Sequence, residues 1–342
     1  MDAHPQPQNN AAQLPGSTFY HSSSASASAR PSSAGGQEAQ YQSTMKKNIE
    51  NELRGATFHV DLTAEGGILH ADPGIVDAVI DELIGTTFPV LTSGGTSSET
   101  CPRFPASGCP SEDESYKPLT HLLNKIVDTA NPRIPQSHLR GLHFHPFEGK
   151  MRDIYGSFKG LKPDGVGIID EVLTELEQEQ PAEEPPARTR EPDGTIKTNL
   201  PWERIEVTVE SKNDLKDMVR QSGTYARCCL LSNQRRFFSL GIGFLYKTLE
   251  AYIFVFHRSG LSSSRPLKLK TAEGFKGLVR HIVGILSFKD ETAYCLDTTR
   301  FQNIFRINNR LYEATRRLYV RTCLLGRCTT VYGLQGMYTC RF

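Results

Sequence analysis

Three side chains in the middle of the sequence have the types needed for metal-assisted work on phosphate esters: Asp164 in LKPDGVGIID, and Glu210 and Lys212 in IEVTVESK. Alternation along an extended segment puts Glu210 and Lys212 on one face, about 6 to 7 Å apart, with Glu206 and Thr208 beside them. Ile205, Val207 and Val209 face the other way. Two carboxylates carried by adjacent strands can hold a hard cation such as Mg²⁺, and a neighbouring ammonium can activate water or offset charge developing on phosphate. Gln221 and Tyr225 stand at i and i+4 of the helix expected next, so they share a face that can turn back toward the same place. The plainer reading of Glu210 and Lys212 is a solvated strand face with an ordinary ion pair.

For these groups to meet, the elements around them must form one sheet. LHFHPF (142–147), GVGIID (165–170) and IEVTVESK (205–212) read as strands, followed by RFFSLGIGFL and EAYIFVF. Tyr116, Leu119, Leu122, Leu123, Ile126 and Val127 recur at helical spacing until Asn131-Pro132 stops them. DLKDMVRQSGTYARCCLLSN and GFKGLVRHIVGIL read as further helices. From residue 114 to 258 the order is helix, strand, strand, strand, helix, strand, strand, which predicts a mixed-sheet α/β sandwich. The helix between the third and fourth strands supplies a right-handed crossover, so part of the sheet is expected to be parallel.

Composition divides the chain further. Residues 1–44, rich in Ser, Ala and Gln, have too few branched aliphatics to offset ordering entropy and read as a disordered tail. Residues 45–113 read as a helical segment and a loop; in DPGIVDAVIDELIG, Asp72 can cap, Pro73 fits the first turn and Gly85 can close the helix. The α/β module is expected over 114–290, with the acidic, Pro-containing stretch 171–199 as a mobile insertion. Residues 291–342 are basic and include the helix-like segment NNRLYEATRRLYVR.

The 342 residues, 38% hydrophobic and 23% charged, exclude a wholly disordered, collagen-like or disulfide-dense chain. Apolar runs such as LGIGFLY and YIFVF fall far short of the roughly 20 residues of a membrane-spanning helix, and no membrane partner is expected. The first 45 positions hold one Arg and no apolar stretch of a signal peptide, so cytoplasm or nucleus is the expected location. Residues 1–199 carry 16 Lys+Arg against 27 Asp+Glu, a balance of −11, and residues 200–342 carry 23 against 11, a balance of +12. A half this basic can hold nucleic acid or an acidic protein, unless the acidic half neutralises it within the molecule. Tyr225, Arg227, Arg235 and Arg236 could line a substrate groove, a solvated basic face being the default. The eight Cys show no zinc-like spacing and read as reduced, mostly buried thiols. His143 and His145 share a strand face and could ligate a metal, although an ordinary half-buried strand explains them better.

Asp164, Glu210, Lys212 and the Gln221/Tyr225 pair, in this order, resemble the PD-(D/E)xK nuclease-like superfamily with its Q-x-x-x-Y extension. That resemblance implies metal binding by Asp164 and Glu210, a catalytic Lys212, supporting contacts from Gln221 and Tyr225, and Glu114 as an extra acid; Mg²⁺ is implied if the site is active. A second resemblance spans more of the chain. LKPDGVGIID, PWERIEVTVESK, QSGTYARCCLLSNQRRFF, IFVFHRSGLSSS and LLGRCTTVYGL together resemble the N-terminal region of the fungal-type protein kinase family, in which a nuclease-like module precedes a kinase-like domain. His257 stands where that family usually has Asp. GRCTTVYGLQG (326–336) falls where the Gly-rich loop begins, with Gly326 as its remnant and Cys328 in place of the second glycine. No segment carries the family's ATP-contacting Lys, catalytic-loop Asp and Asn or Mg²⁺-binding Asp-Phe-Gly. The expectation is therefore a truncated kinase-family protein whose nuclease-like module acts in binding or regulation, with no ATP use. The rival expectations are Mg²⁺-dependent DNA or RNA hydrolysis by Asp164, Glu210 and Lys212, and an inactive structural module that binds an acidic protein.

Overall fold

A computed structural model describes residues 34–87, 108–151 except 135 and 138, 161–178, and 191–288 except 234 and 235; beyond these it describes 304–307, 310–320, 324 and 330–336. Eight strands form one mixed sheet in the order β1-β7-β6-β5-β4-β3-β2, with β8 also paired to β6. They are β1 (Thr57–His59), β2 (Leu142–Pro146), β3 (Gly165–Ile169), β4 (Val207–Lys212), β5 (Phe238–Leu245), β6 (Glu250–His257), β7 (Gly260–Ser263) and β8 (Leu267–Lys268). The sequence pattern predicts β2 to β6; β1, β7 and β8 are shorter and lack an alternating signal of their own. As expected, β4 and β5 are parallel, and α5 (Leu215–Ser232) connects them.

Helices cover both faces. On one side α2 (Pro73–Thr87), α3 (Asp113–Ala130) and α6 (Ala272–Leu286) bury Leu83, Leu123, Ile126, Leu278 and Ile282 against Val207, Val209, Leu240, Ile242 and Val255 of the sheet. On the other, α5 and the end of α1 (Ala34–Leu53) pack Ile49, Leu53, Met218, Ala226 and Leu230 against Phe254 and Phe256. Each fully buried Leu, Ile or Phe contributes about 1.5–3 kcal/mol relative to exposure, so this three-layer core dominates the stability. Asp214 caps α5 by accepting the Asp217 N–H at 2.9 Å, and Thr271 caps α6 through the Gly274 N–H at 3.1 Å. Asn124 of α3 pins the edge strand β2, giving Nδ2 to the Phe144 carbonyl at 2.8 Å and taking the Phe144 N–H at 2.7 Å. Both backbone groups that a bare edge would expose are thus satisfied.

Several expectations need correction. Helix α1 starts at Ala34, eleven residues inside the stretch read as a tail. Helix α2 continues past Gly85 to Thr87. The stretch 171–199 is not a single loose insertion: α4 (Asp170–Gln178) opens it, and its far end is packed. Ile196 and Leu200 are fully buried, and they bridge to Phe147 and Met151 beside β2. The segment NNRLYEATRRLYVR is no helix. Its body is β10 (Arg310–Val320), which pairs antiparallel with β9 (Ile304–Ile307) and β11 (Thr330–Gly336) in a separate three-stranded sheet. Leu, Glu, Ala and Arg favour a helix locally, but backbone pairing along two partner strands overrides that preference. Among the described residues no helix is long and apolar enough to cross a membrane. Cys109, Cys228 and Cys229 are buried free thiols, as expected, and burial pushes Cys228 up to about 12 and Cys229 to about 11. The remaining five Cys lie outside the described residues.

Candidate functional site

The chain reaches the end of β4 with Glu210 and Lys212, and the turn entering β3 places Asp164 across from them. Glu210 projects toward α5; its neighbour in the register on β5 is Gly243, which adds no side chain to the space. Lys212 Nζ lies 2.7 Å from Glu210 Oε1, 2.6 Å from Glu112 Oε1, 3.4 Å from Asp164 Oδ2 and 3.0 Å from the Ser211 carbonyl oxygen. Asp164 Oδ2 also accepts the Ser211 N–H at 2.8 Å. The Ser211 hydroxyl meets that of Ser115 on α3 at 2.6 Å, and Tyr116 gives its O–H to Glu112 at 2.9 Å. Three acids from three parts of the fold therefore converge on one ammonium.

The cluster opens to solvent through Glu112, which is 35% exposed, whereas Glu210 is wholly buried. Burial raises the Glu210 carboxyl well above its ordinary value, and the Asp164 charge adds to the rise; Lys212 opposes it. Asp164 is raised too, by burial first, with Lys212 and the Ser211 N–H pulling it down. For Lys212 burial disfavours the charge, but Glu210 and Asp164 outweigh it, and its pKa is raised. Tyr225 lies against this cluster with no exposure; its O–H donates to the Lys162 carbonyl and accepts from Gln221 Nε2, both at 2.6 Å. That single proton is spent, so Tyr225 has none for Glu210, and Glu210 Oε2 has no hydrogen-bond donor among the described residues.

The structure thus brings together Asp164, Glu210, Lys212, Gln221 and Tyr225, all read from the sequence. Glu114 does not join them, because it bonds to Ser111 at the start of α3. The third acid is Glu112, missed by sequence reasoning although its i, i+4 spacing from Tyr116 was available as a signal. Glu206, expected on the Glu210 face, pairs instead with Arg236 at 3.1 Å. Arg227 and Arg236 are 2% and 5% exposed, so neither lines a groove nor forms a solvated face; Arg235 lies outside the described residues. His143 and His145 do not form a metal pair. His143 is held by Asp128 at 3.0 Å and Asp170 at 2.8 Å, and His145 Nδ1 sits 3.0 Å from the Gly194 carbonyl. Gly326 and Cys328 lie outside the described residues, although the strands on either side, β10 and β11, form an antiparallel pair. His257 makes local contacts to Ser262 and the Ser259 N–H.

The oxygen donors of Asp164 and Glu210, one of them with an unsatisfied buried atom, fit a hard divalent cation. Among the described residues no three His, Cys, Asp or Glu side chains stand arranged as a complete metal site, so such an ion would keep water in its other positions. The fold and site define a mixed-sheet α/β sandwich with a buried carboxylate–lysine cluster at the end of its parallel strand pair. Residues 187–336, which include β4, α5 and the strands that follow, match the family model described as fungal protein kinase, so this part of the chain is kinase-family-like. No curated protein and no solved structure matches the chain.

Proposed function

We propose that the α/β sandwich is a nuclease-like recognition module of a kinase-like protein, one that binds or regulates and does not cleave. The observation that carries this reading is the saturation of Lys212: four oxygens lie within 3.4 Å of an ammonium that has three protons to give. Neither Lys212 nor Tyr225 has a proton left for a reacting group, and together they fasten β3, β4, α3 and α5. The match to the fungal protein kinase family supports the wider kinase-like context. Turnover of ATP is not expected from residues that include no catalytic-loop Asp-Asn pair and no Asp-Phe-Gly. The test is cleavage of plasmid and single-stranded DNA with Mg²⁺ or Mn²⁺, beside Asp164→Ala and Lys212→Ala. The expected result is no cleavage by any of the three, with Lys212→Ala losing about 3–5 kcal/mol because three acids are left around a vacated ammonium position.

A second reading rests on the charge balance. Glu112, Asp164 and Glu210 face one ammonium, and a divalent cation would offset the remaining formal charge. In that reading Asp164 and Glu210 would hold Mg²⁺, and the ion would supply Lewis acidity toward a phosphodiester and a bound water. Lys212 orients the phosphate, while Gln221 and Tyr225 keep the Lys162 backbone in place behind Asp164. Cleavage lost in both variants, with calorimetric Mg²⁺ binding lost in Asp164→Ala, would establish hydrolysis and overturn the recognition reading.

A further inference from the structure

At the opposite edge of the sheet, sharing no residue with the carboxylate–lysine cluster, a cavity of about 660 Å³ lies between the chain after β1, the β7–β8 link and the first turns of α6. That volume suits a nucleotide or sugar phosphate better than a lone ion. Arg265, Lys268 and Arg280 line it. Arg280 is shared with Glu273 at 3.1 Å, whereas Arg265 and Lys268 have no anionic partner among the described residues. Asp61, the other acid on the wall, accepts the N–H and hydroxyl of Thr63 through Oδ1 at 3.0 and 2.9 Å and stays anionic, so the three cations exceed the two acids of the wall by one. The N-terminus of α6, capped by Thr271, adds its favourable dipole for negative charge.

Two deeply buried polar side chains complete the wall: Ser264, 2% exposed, and His281, 6% exposed. Ser264 Oγ accepts the Ile253 N–H at 3.0 Å and keeps its own proton to donate. His281 Nδ1 lies 2.7 Å from the Gly277 carbonyl oxygen, which can only accept. Nδ1 therefore carries the proton, and Nε2 of the neutral ring is an acceptor that finds no partner among the described residues. Burial favours this neutral ring by pushing its pKa down, Arg280 acting in the same sense against the Gly277 carbonyl and Asp61. A ligand that satisfies the whole wall needs anionic oxygens for the cations and an O–H for His281. A carboxylate or a sulfate alone brings only acceptors. A phosphate monoester of a hydroxyl-bearing body brings both.

We propose that this cavity binds such a phosphate monoester, with Arg265 and Lys268 taking the phosphate and His281 Nε2 accepting a hydrogen bond from a phosphate or sugar hydroxyl. Isothermal titration calorimetry of the full chain with AMP and glucose 6-phosphate, against adenosine and glucose, tests it. At least one ester is expected to bind while its unphosphorylated parent does not, and preference between the two esters tells a nucleotide from a sugar source. Arg265→Ala and Lys268→Ala, at exposed positions, should each weaken binding about tenfold or more without moving the unfolding midpoint, the loss expected for one charge-assisted hydrogen bond. His281→Phe, which keeps the ring and removes the acceptor, should weaken it to a similar degree. No binding of either ester, equal binding of parent and ester, or unchanged affinity in both Arg265→Ala and Lys268→Ala would overturn the proposal.

Discussion

Glu210 has no solvent exposure and two other acids for neighbours, so ionising it in the folded chain is costly, and its pKa stands well above the ordinary 4.5. A carboxyl raised on folding is bound more tightly by protons in the native state. Its contribution to stability is therefore best below about 4.5 and declines as pH rises from there through the folded-state pKa. In metal-free buffer Glu210→Gln should unfold at higher denaturant than the wild type at pH 8, with the gap closing toward pH 4; an unchanged gap would show that Lys212 already compensates the charge. His143 has the same sign at a higher pH. Its hydrogen bond to Asp170 raises it from 6.5 to about 9 against burial, with Asp128 assisting. Stability from this pair is fully present below about 6.5 and is lost as pH rises through about 9. A titration of the His143 ring followed by NMR should find its midpoint well above 6.5, and Asp170→Asn should bring it down. At this scale much was legible, because strand alternation and helical i, i+4 spacing fix which side chains share a face. Glu112 was not, because its reach to Lys212 depends on how α3 docks, and the buried states of Arg227 and Arg236 depend on the layer α5 makes with the sheet.

The elements that carry the cluster are held by devices of known size. Asp214 satisfies one of the orphan amides at the start of α5, the helix that brings Gln221 and Tyr225 to the site. Asp214→Ala should cost about 1 kcal/mol in denaturant unfolding without altering the cluster, since the cap sits about two turns from Gln221. On α6, a Cβ at Gly284 would come within 2.0 Å of the Leu69 carbonyl oxygen, a backbone atom that cannot turn aside. Gly284→Ala should therefore cost about 1–3 kcal/mol or more; a neutral result would mean that the chain around Leu69 yields. Helix α3 was legible because Leu119, Leu122, Leu123, Ile126 and Val127 alternate at helical spacing, and every one is buried. The β10 error has the reverse cause: its residues satisfy helical preferences, and only pairing with β9 and β11, residues apart in sequence, decides for a strand. Ile196 and Leu200 show the same limit, two apolar residues in a polar stretch whose partners Phe147 and Met151 lie some fifty positions earlier.

For the whole molecule, the opposed charges of the two halves meet across the fold. Glu50 pairs with Lys216 and Arg220, Glu175 with Arg204, and Glu112 and Asp164 with Lys212. Each exposed pair contributes little to stability, yet each removes a cation of the basic half from contact with a polyanion. Burial withdraws Arg227 and Arg236 as well. Leu324, fully buried, ties the later chain to the same core, its N–H donating to Glu52 at 2.8 Å and its carbonyl accepting from Arg258 at 3.3 Å. The cations left to meet phosphate include Lys247, Arg265, Lys268 and Lys270, which are exposed and in no ion pair among the described residues. If the basic half holds duplex DNA, the logarithm of affinity should fall with the logarithm of salt by about 0.9 per phosphate neutralised, so these four would supply a slope of up to about −4. Replacing them together by Gln should flatten it, and Lys216→Gln should leave it unchanged. A slope that Lys216→Gln reduces by about 1 would mean that the pairs across the fold open to admit the polyanion and that neutralisation within the molecule does not limit binding.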